Sequence, residues 1–194
     1  MKLPFEVFRW LALCVLGAAA IPAAAVQYGL YLGHVSVQFA VSHLDISYVR
    51  GRFDKIAVTI DFDPAAKTGR VVVTVDPDSI DTGNRQIDNV LRTDQFLDTV
   101  AFTEIRFASE RFVYEGDKLV AVEGRLWLHG VERPLRLTAE RFVCKDVTLG
   151  LAKKAVCGGA FHASFKRSDF GMTRFLPDVG DEVQLDIGVE ASPS

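Results

Sequence analysis

The chain has 194 residues, a formal net charge of −3 and three cysteines, a length that supports one domain with a sizeable core. It carries no basic arm and no basic run, which argues against nucleic acid as its main partner.

The amino terminus reads as a leader. Lys2 and Arg9 precede or open an apolar run from Trp10 to Ala20, and Ala23-Ala24-Ala25 offers a small-residue cleavage site. That layout predicts a secretory signal peptide over residues 1–25, cleaved after Ala25. An uncleaved anchor is the competing reading, but the run is short for a membrane span and Pro22 interrupts it. Cys14 does not mark a lipoprotein site, because Leu13 stands where a small residue is wanted. Cleavage removes Lys2, Glu6 and Arg9, so residues 26–194 carry −4. It also leaves Cys144 and Cys157 in an oxidising compartment, where such a pair is expected to bond.

From His34 onward the apolar period is two. In "HVSVQFAVSH" Val35, Val37, Phe39 and Val41 share one face, and "KIAVTIDFDP" repeats this with Ile56, Val58, Ile60 and Phe62. Further strands are predicted at Arg70–Val75, Glu104–Ser109, Leu119–Leu128, Pro134–Phe142, Val156–Phe165 and Val183–Glu190. The connections "DPAAKTG", "YEGDK" and "HGVERP" carry turn chemistry. One helix interrupts, "NRQIDNVLRT", with Ile87, Val90 and Leu91 at helical spacing and Asp81, Thr82 or Asn84 as its cap. Eight strands, each with one apolar face, require antiparallel pairing around a shared interior. The expected fold is all-β: a single closed, antiparallel, eight-stranded barrel with a short helical flap. A two-sheet sandwich is the alternative that periodicity leaves open.

Several groups invite chemistry. His34, His43, His129 and His162 are too widely spaced for a ligand pair and lie near no Cys–His cluster. His43 ends an inward-phased strand, which places it at a barrel mouth. Asp76, Asp78 and Asp81 fail as a calcium loop, since Ile80 and Ile87 occupy ligand positions, and they read as turn and cap residues. In "FKRSDFGM", Ser168 and Asp169 lack a "GxSxG" elbow. The segment is expected to turn a corner at Gly171, with Arg167 holding carbonyls or a carboxylate. An exported hydrolase using His43 or His162 is the competing enzyme reading. A filled-core interaction protein, with outward Trp127 on a partner or homodimer surface, is the third.

The segments "VQFAVSHL", "VRGRFDKIAVTIDFDP", "DSIDTGN", "VLRTDQFLD", "EIRFAS", "VEGRLWLHGVERPLRL", "FKRSDFGM" and "VGDEVQLDI" occur in order over nearly the whole of residues 34–191. On these the chain resembles the YceI family of bacterial exported proteins. The resemblance implies a lipocalin-like barrel, periplasmic location, and a polyisoprenoid, isoprenoid quinone or fatty-acid-like lipid held inside. It also implies no catalytic residue or cofactor, and links to stress responses, a membrane or a membrane b-type cytochrome. The chain departs from the family pattern in the flap. Ile87-Asp88 and Val90-Leu91 stand where Arg-Asp and His-Leu are usual, so a less polar ligand end is expected; Thr103 stands where proline is usual.

Strands of about nine or ten residues make a barrel roughly 30 Å long, wide enough for one slim ligand. Small inward residues at Gly124, Ala139 and Ala163 are expected to leave the room. Phe39, Val41, Ile60, Phe107, Leu126, Leu137 and Phe161 are predicted to line the tunnel, with His43 at its mouth. Strict alternation puts Cys144 and Cys157 on opposite faces, so a bond between them requires a slip in phase, expected at Gly158-Gly159.

Overall fold

The computed structural model describes residues 26–149 and 152–194; the reading of residues 1–25 as a signal peptide lies outside the described residues. Among the described residues the strands are β1 (Val26–His43), β2 (Ser47–Phe53), β3 (Ile56–Asp63), β4 (Thr68–Val75), β5 (Ile80–Asp81), β6 (Ile105–Glu115), β7 (Lys118–Leu128), β8 (Val131–Leu149), β9 (Ala152–Lys166) and β10 (Val179–Pro193), with one α-helix, α1 (Arg85–Leu91). The sheet runs β10-β9-β8-β7-β6-β4-β3-β1, and β1 pairs back onto β10. Every pairing is antiparallel. These are the eight strands that alternation predicts, and closure of β1 on β10 makes them a barrel rather than a sandwich, with no free edge in the ring.

β2 and β5 are additions that alternation did not reveal. Val26–Tyr28 of β1 pairs with β3, but Gln38–His43 pairs with β2 instead, and β5 pairs with the end of β2. The gap that opens between β1 and β3 toward one end of the barrel is therefore filled by a short second layer of pairing. Gly51 explains why β2 is hard to see: a Cβ there would lie 2.5 Å from the Phe39 ring, so the middle of the strand carries no side chain. The strands are also longer than expected on one side, reaching 18 residues in β1, 19 in β8 and 15 in β9 and β10. β1 begins at Val26, and its register with β10 breaks between Leu30 and Val35, where Gly33 takes a φ of 70°.

The slip in phase that the cysteines require sits on β8. Ala139 faces Phe161 but Arg141 faces Ala160, which makes Glu140 the extra residue. Cys144 then lies opposite Cys157, and the two are bonded. Gly158-Gly159 keeps regular register with both neighbouring strands. Their lack of side chains serves close approach: a Cβ on Gly159 would sit 2.5 Å from the Arg141 carbonyl oxygen.

The two ends of the barrel differ. At the disulfide end Phe62 stacks on Phe112 at 5.7 Å, meets Phe142 edge-on at 5.7 Å and lies 6.0 Å from Tyr28, plugging the interior. The opposite end carries the β1–β2 turn, α1 and the segment around Arg167. Asn84 caps α1, its side-chain oxygen accepting from the Gln86 amide at 2.9 Å. Buried Asp88 ties the helix down by accepting from the Thr82 amide at 2.8 Å and the Thr82 hydroxyl at 2.7 Å. Burial alone would raise the Asp88 pKa, but these bonds and nearby Arg92 hold it below the ordinary carboxylate value. Arg92 reaches back to the Ile80 carbonyl, fixing the far end of the helix.

"FKRSDFGM" turns a corner. Arg167–Phe170 form one 3₁₀ turn, ended by Gly171 at a φ of 82°, where a residue without Cβ is favoured. Phe170 and Arg167 are among the most buried side chains described.

Candidate functional site

Alternation aims Phe39 and Val41 of β1, Phe107 of β6, Leu126 of β7 and Leu137 of β8 into the barrel. They line a chamber of about 650 Å³ at the helical end, roofed by Ile87, Val90 and Leu91 of α1 together with Phe96 and Leu97. A deeper pocket of about 90 Å³ lies toward the disulfide, and Val37, Val73, Phe107, Leu137 and Ile187 border both spaces. The predicted lining residues thus divide. Phe39, Val41, His43, Phe107, Leu126 and Leu137 face the chamber, whereas Ile60 and Phe161 face the deeper pocket beside the aromatic plug.

The room is not made where expected. A Cβ on Gly124 would fall 2.7 Å from the Phe107 ring and closer still to the Ala108 carbonyl, so the missing side chain admits Phe107 rather than a ligand. Ala139 and Ala163 pack against the core and border neither space. The chamber lies instead at the end where β1 has parted from β3 to pair with β2, which lends Val49 and Phe53 to its wall, and α1 lies over it.

Sequence reasoning also missed part of the lining. Val183, Leu185 and Ile187 of β10 face the chamber, and their alternation in "VGDEVQLDI" was the available signal. The apolar face of α1 was visible too, but not what it covers. Ile87 and Val90, the flap positions at which the resemblance implied polar residues, lie directly on the chamber.

Polar groups are confined to the mouth: Ser42, His43, Gln86, Asp178 and Arg167. Arg167 donates from Nε to the Gly180 carbonyl at 2.8 Å, and from its two terminal nitrogens to Met172 at 2.6 Å and Val179 at 2.7 Å. Burial lowers its pKa against the pull of Asp181. The arginine therefore holds carbonyls, and ties the start of β10 to the returning loop 172–178 that forms one wall of the mouth.

The remaining histidines are dispersed. His34 donates to Glu190 at 3.0 Å, and His129 Nδ1 donates to the Phe170 carbonyl at 3.0 Å. His162 lies on the outer surface between Asp186 and Glu140, 2.5 and 2.8 Å away, and both carboxylates raise its pKa. Neither His162 nor His43 meets Ser168, whose hydroxyl donates to Asp181 at 2.8 Å. Asp76 and Asp81 accept from the amides of Asp78 and Gly83, as turn residues do. Among the described residues no group of three or more His, Cys, Asp or Glu side chains is placed to hold a metal ion. Trp127 faces outward beneath the Arg106 guanidinium, 4.7 Å from its ring centre.

Comparison with known proteins gives the same picture. A UPF0312 protein of Shewanella denitrificans is 31% identical over 182 residues, covering 91% of this chain and 94% of its own length. The crystal structure of the Campylobacter jejuni YceI protein superposes with a TM-score of 0.67 at 27% identity, covering 79% of this chain and 90% of that one. A domain from Saccharophagus degradans, described as polyisoprenoid binding, shares the fold with a TM-score of 0.61 at 16% identity, covering 89% of this chain and all of its own. The YceI-like domain matches residues 28–191, so the closed barrel and its apolar chamber are those of a member of the YceI-like family.

Proposed function

We propose that this protein binds one amphiphilic lipid, of the polyisoprenoid or isoprenoid quinone class, with its hydrocarbon chain in the chamber. It acts as a carrier or store and performs no reaction of its own. The observation that carries this reading is a chamber of about 650 Å³ walled by aliphatic and aromatic side chains, plugged at one end and polar only at its mouth. That volume falls among ordinary small-ligand sites, which span about 300–1,000 Å³. At about 30 Å³ per non-hydrogen atom it holds roughly twenty carbons, or four isoprene units. The fold shared with the polyisoprenoid-binding domain of Saccharophagus degradans supports the ligand class.

The location we propose is the periplasm, reached through cleavage of residues 1–25. The Cys144–Cys157 bond agrees with an oxidising compartment. A membrane, or a membrane b-type cytochrome that uses a quinone, is the natural source or destination of such a lipid, and a stress role would follow from protecting it.

The deciding experiment purifies the protein from its native host without detergent, extracts it with organic solvent and identifies bound lipid by mass spectrometry. A stoichiometric isoprenoid is expected. A lipid-free protein that also fails to take up geranylgeraniol would overturn the reading.

A further inference from the structure

The mouth of the chamber is framed by apolar side chains that point into solvent. Leu44 and Ile46 stand on the β1–β2 turn, 50% and 83% exposed, and Phe175 and Leu176 stand on the loop that returns from Arg167, 45% and 38% exposed. Val90 projects from α1 across the opening. The segments are joined around the rim: the Leu44 amide donates to the Asp178 carbonyl at 2.6 Å, and Phe175 stacks on Phe96 at 6.1 Å.

Two features separate this rim from scattered surface apolar residues, which need no explanation. Leu44 and Phe175 both hold positive φ, 55° and 58°, a costly conformation for bulky side chains that persists where the surroundings demand it. Moreover, the rim continues the wall of the chamber, since Leu44, Val90 and Phe175 line the cavity from within while showing a face outside. Cations flank it: Arg174 lies over the Phe175 ring at 4.6 Å, and Arg50 over the Tyr48 ring at 5.1 Å. Two acids stand on the rim as well: Asp45 on the turn, which accepts from the Ser42 hydroxyl, and exposed Asp178 at the mouth, on the same loop as Arg174.

We propose that this rim docks on an anionic phospholipid bilayer, mouth down, with Ile46 and Leu176 entering the acyl boundary and Arg50 and Arg174 against lipid phosphates. The arrangement of an apolar tip with basic neighbours suits the interface of such a membrane. Docked this way, the apolar chamber opens directly onto hydrocarbon, and a lipid tail passes between the two without crossing water. The inference rests on the lipid-binding reading, but tests a separate surface.

Ile46 and Leu176 do not border the chamber, so they can be changed without altering it. Residues 26–194 contain every strand of the closed barrel and are the protein to use. Flotation measures binding to vesicles of phosphatidylethanolamine with phosphatidylglycerol, and to phosphatidylcholine vesicles. The pair Ile46→Ser and Leu176→Ser is expected to weaken binding about a hundredfold, at about tenfold per withdrawn side chain. Arg50→Gln with Arg174→Gln weakens binding to the anionic vesicles severalfold and leaves phosphatidylcholine binding unchanged. Melting temperatures confirm that the variants fold. Uptake of a fluorescent acyl probe without vesicles should be the same in the serine variant and the parent.

If the parent takes up the probe but does not float, or floats as its serine variant does, docking is overturned while lipid binding stands. If the parent floats and loses flotation in the variant yet never takes up the probe, docking stands and the chamber reading falls. A dimer in solution that the serine variant abolishes, with no vesicle binding by the parent, assigns the rim to a second copy and overturns the proposal.

Discussion

Leu137→Trp tests whether the chamber, rather than the outer surface, sets what the protein holds. Leu137 lies on β8 opposite Val122 and borders both the chamber and the deeper pocket. Tryptophan adds about six non-hydrogen atoms, which at about 30 Å³ each take up roughly 180 Å³. That exceeds the deeper pocket and is more than a quarter of the chamber. In a filled core such an insertion would cost about 1–3 kcal/mol; here it enters space already present, so the melting temperature should change little. A chain that used the lost space forfeits burial of about six carbons, at ~0.8 kcal/mol each an upper limit near 5 kcal/mol. Half of that is still roughly a hundredfold in affinity. Competition against a fluorescent lipid probe would compare geranylgeraniol, with four isoprene units, and geraniol, with two. The longer alcohol should lose affinity by at least that factor while the shorter one binds as before. Equal losses for both, or no loss for either in a folded variant, would refute a ligand lying along the axis past Leu137.

Removing the disulfide by Cys144→Ser should lower unfolding free energy by about 3 kcal/mol in the chain-entropy model for a separation of 13 residues, read by denaturant titration, with reductant giving the same loss in the parent. Asp88→Ala strips the Thr82 amide and hydroxyl of their acceptor, costing about 1–3 kcal/mol locally. Hydrogen exchange over residues 85–91 should rise and lipid release should quicken, whereas unchanged release would mean that the flap does not gate. His162 is tied by Glu140 and Asp186, so its folded pKa lies above the unfolded value of about 6.5. Its contribution is complete below that value and disappears as pH rises through the folded pKa. The groups are more than half exposed, so this amounts to at most about 1 kcal/mol. His162→Gln should flatten that part of the stability–pH curve, and an identical slope in the variant would remove the assignment.

The ring of eight strands was legible because a closed barrel forces every strand to the same alternation, and Val35–Val41 or Val183–Val189 display it without interruption. β2 was hidden by Gly51, whose missing side chain is the very feature that lets Phe39 lie beneath it. The cysteines signalled a slip in phase, but not its place. Two adjacent glycines resemble a bulge in one dimension, yet at Gly158-Gly159 they answer to backbones pressed together. The actual bulge falls at Glu140, a residue with no local signature, whose carboxylate the slip places against His162. The mouth was least legible. Its walls come from the β1–β2 turn, α1 and loop 172–178, segments distant in sequence that Arg167 and the Leu44–Asp178 hydrogen bond bring together.

What the mouth contributes follows from what the chamber cannot. A hydrocarbon chain buried from water gains about 0.8 kcal/mol per CH₂, but a lipid that reached this chamber from a bilayer, as proposed, would exchange one apolar surrounding for another. The chamber wall therefore fixes how much chain is held, and adds little to the preference for barrel over membrane. That preference is left to the polar end, and here Ser42, His43, Gln86 and Asp178 supply few partners, while the buried Arg167 already spends three hydrogen bonds on carbonyls. Ile87 and Val90 make the roof apolar. On the proposed lipid-binding reading, a site built this way would hold its lipid little more tightly than a membrane does, and α1, pinned through Asp88 and Thr82, would be the element to lift for exchange, which the Asp88→Ala variant tests. Near-balanced affinity with a tethered flap would suit the proposed carrier, which must both load and unload.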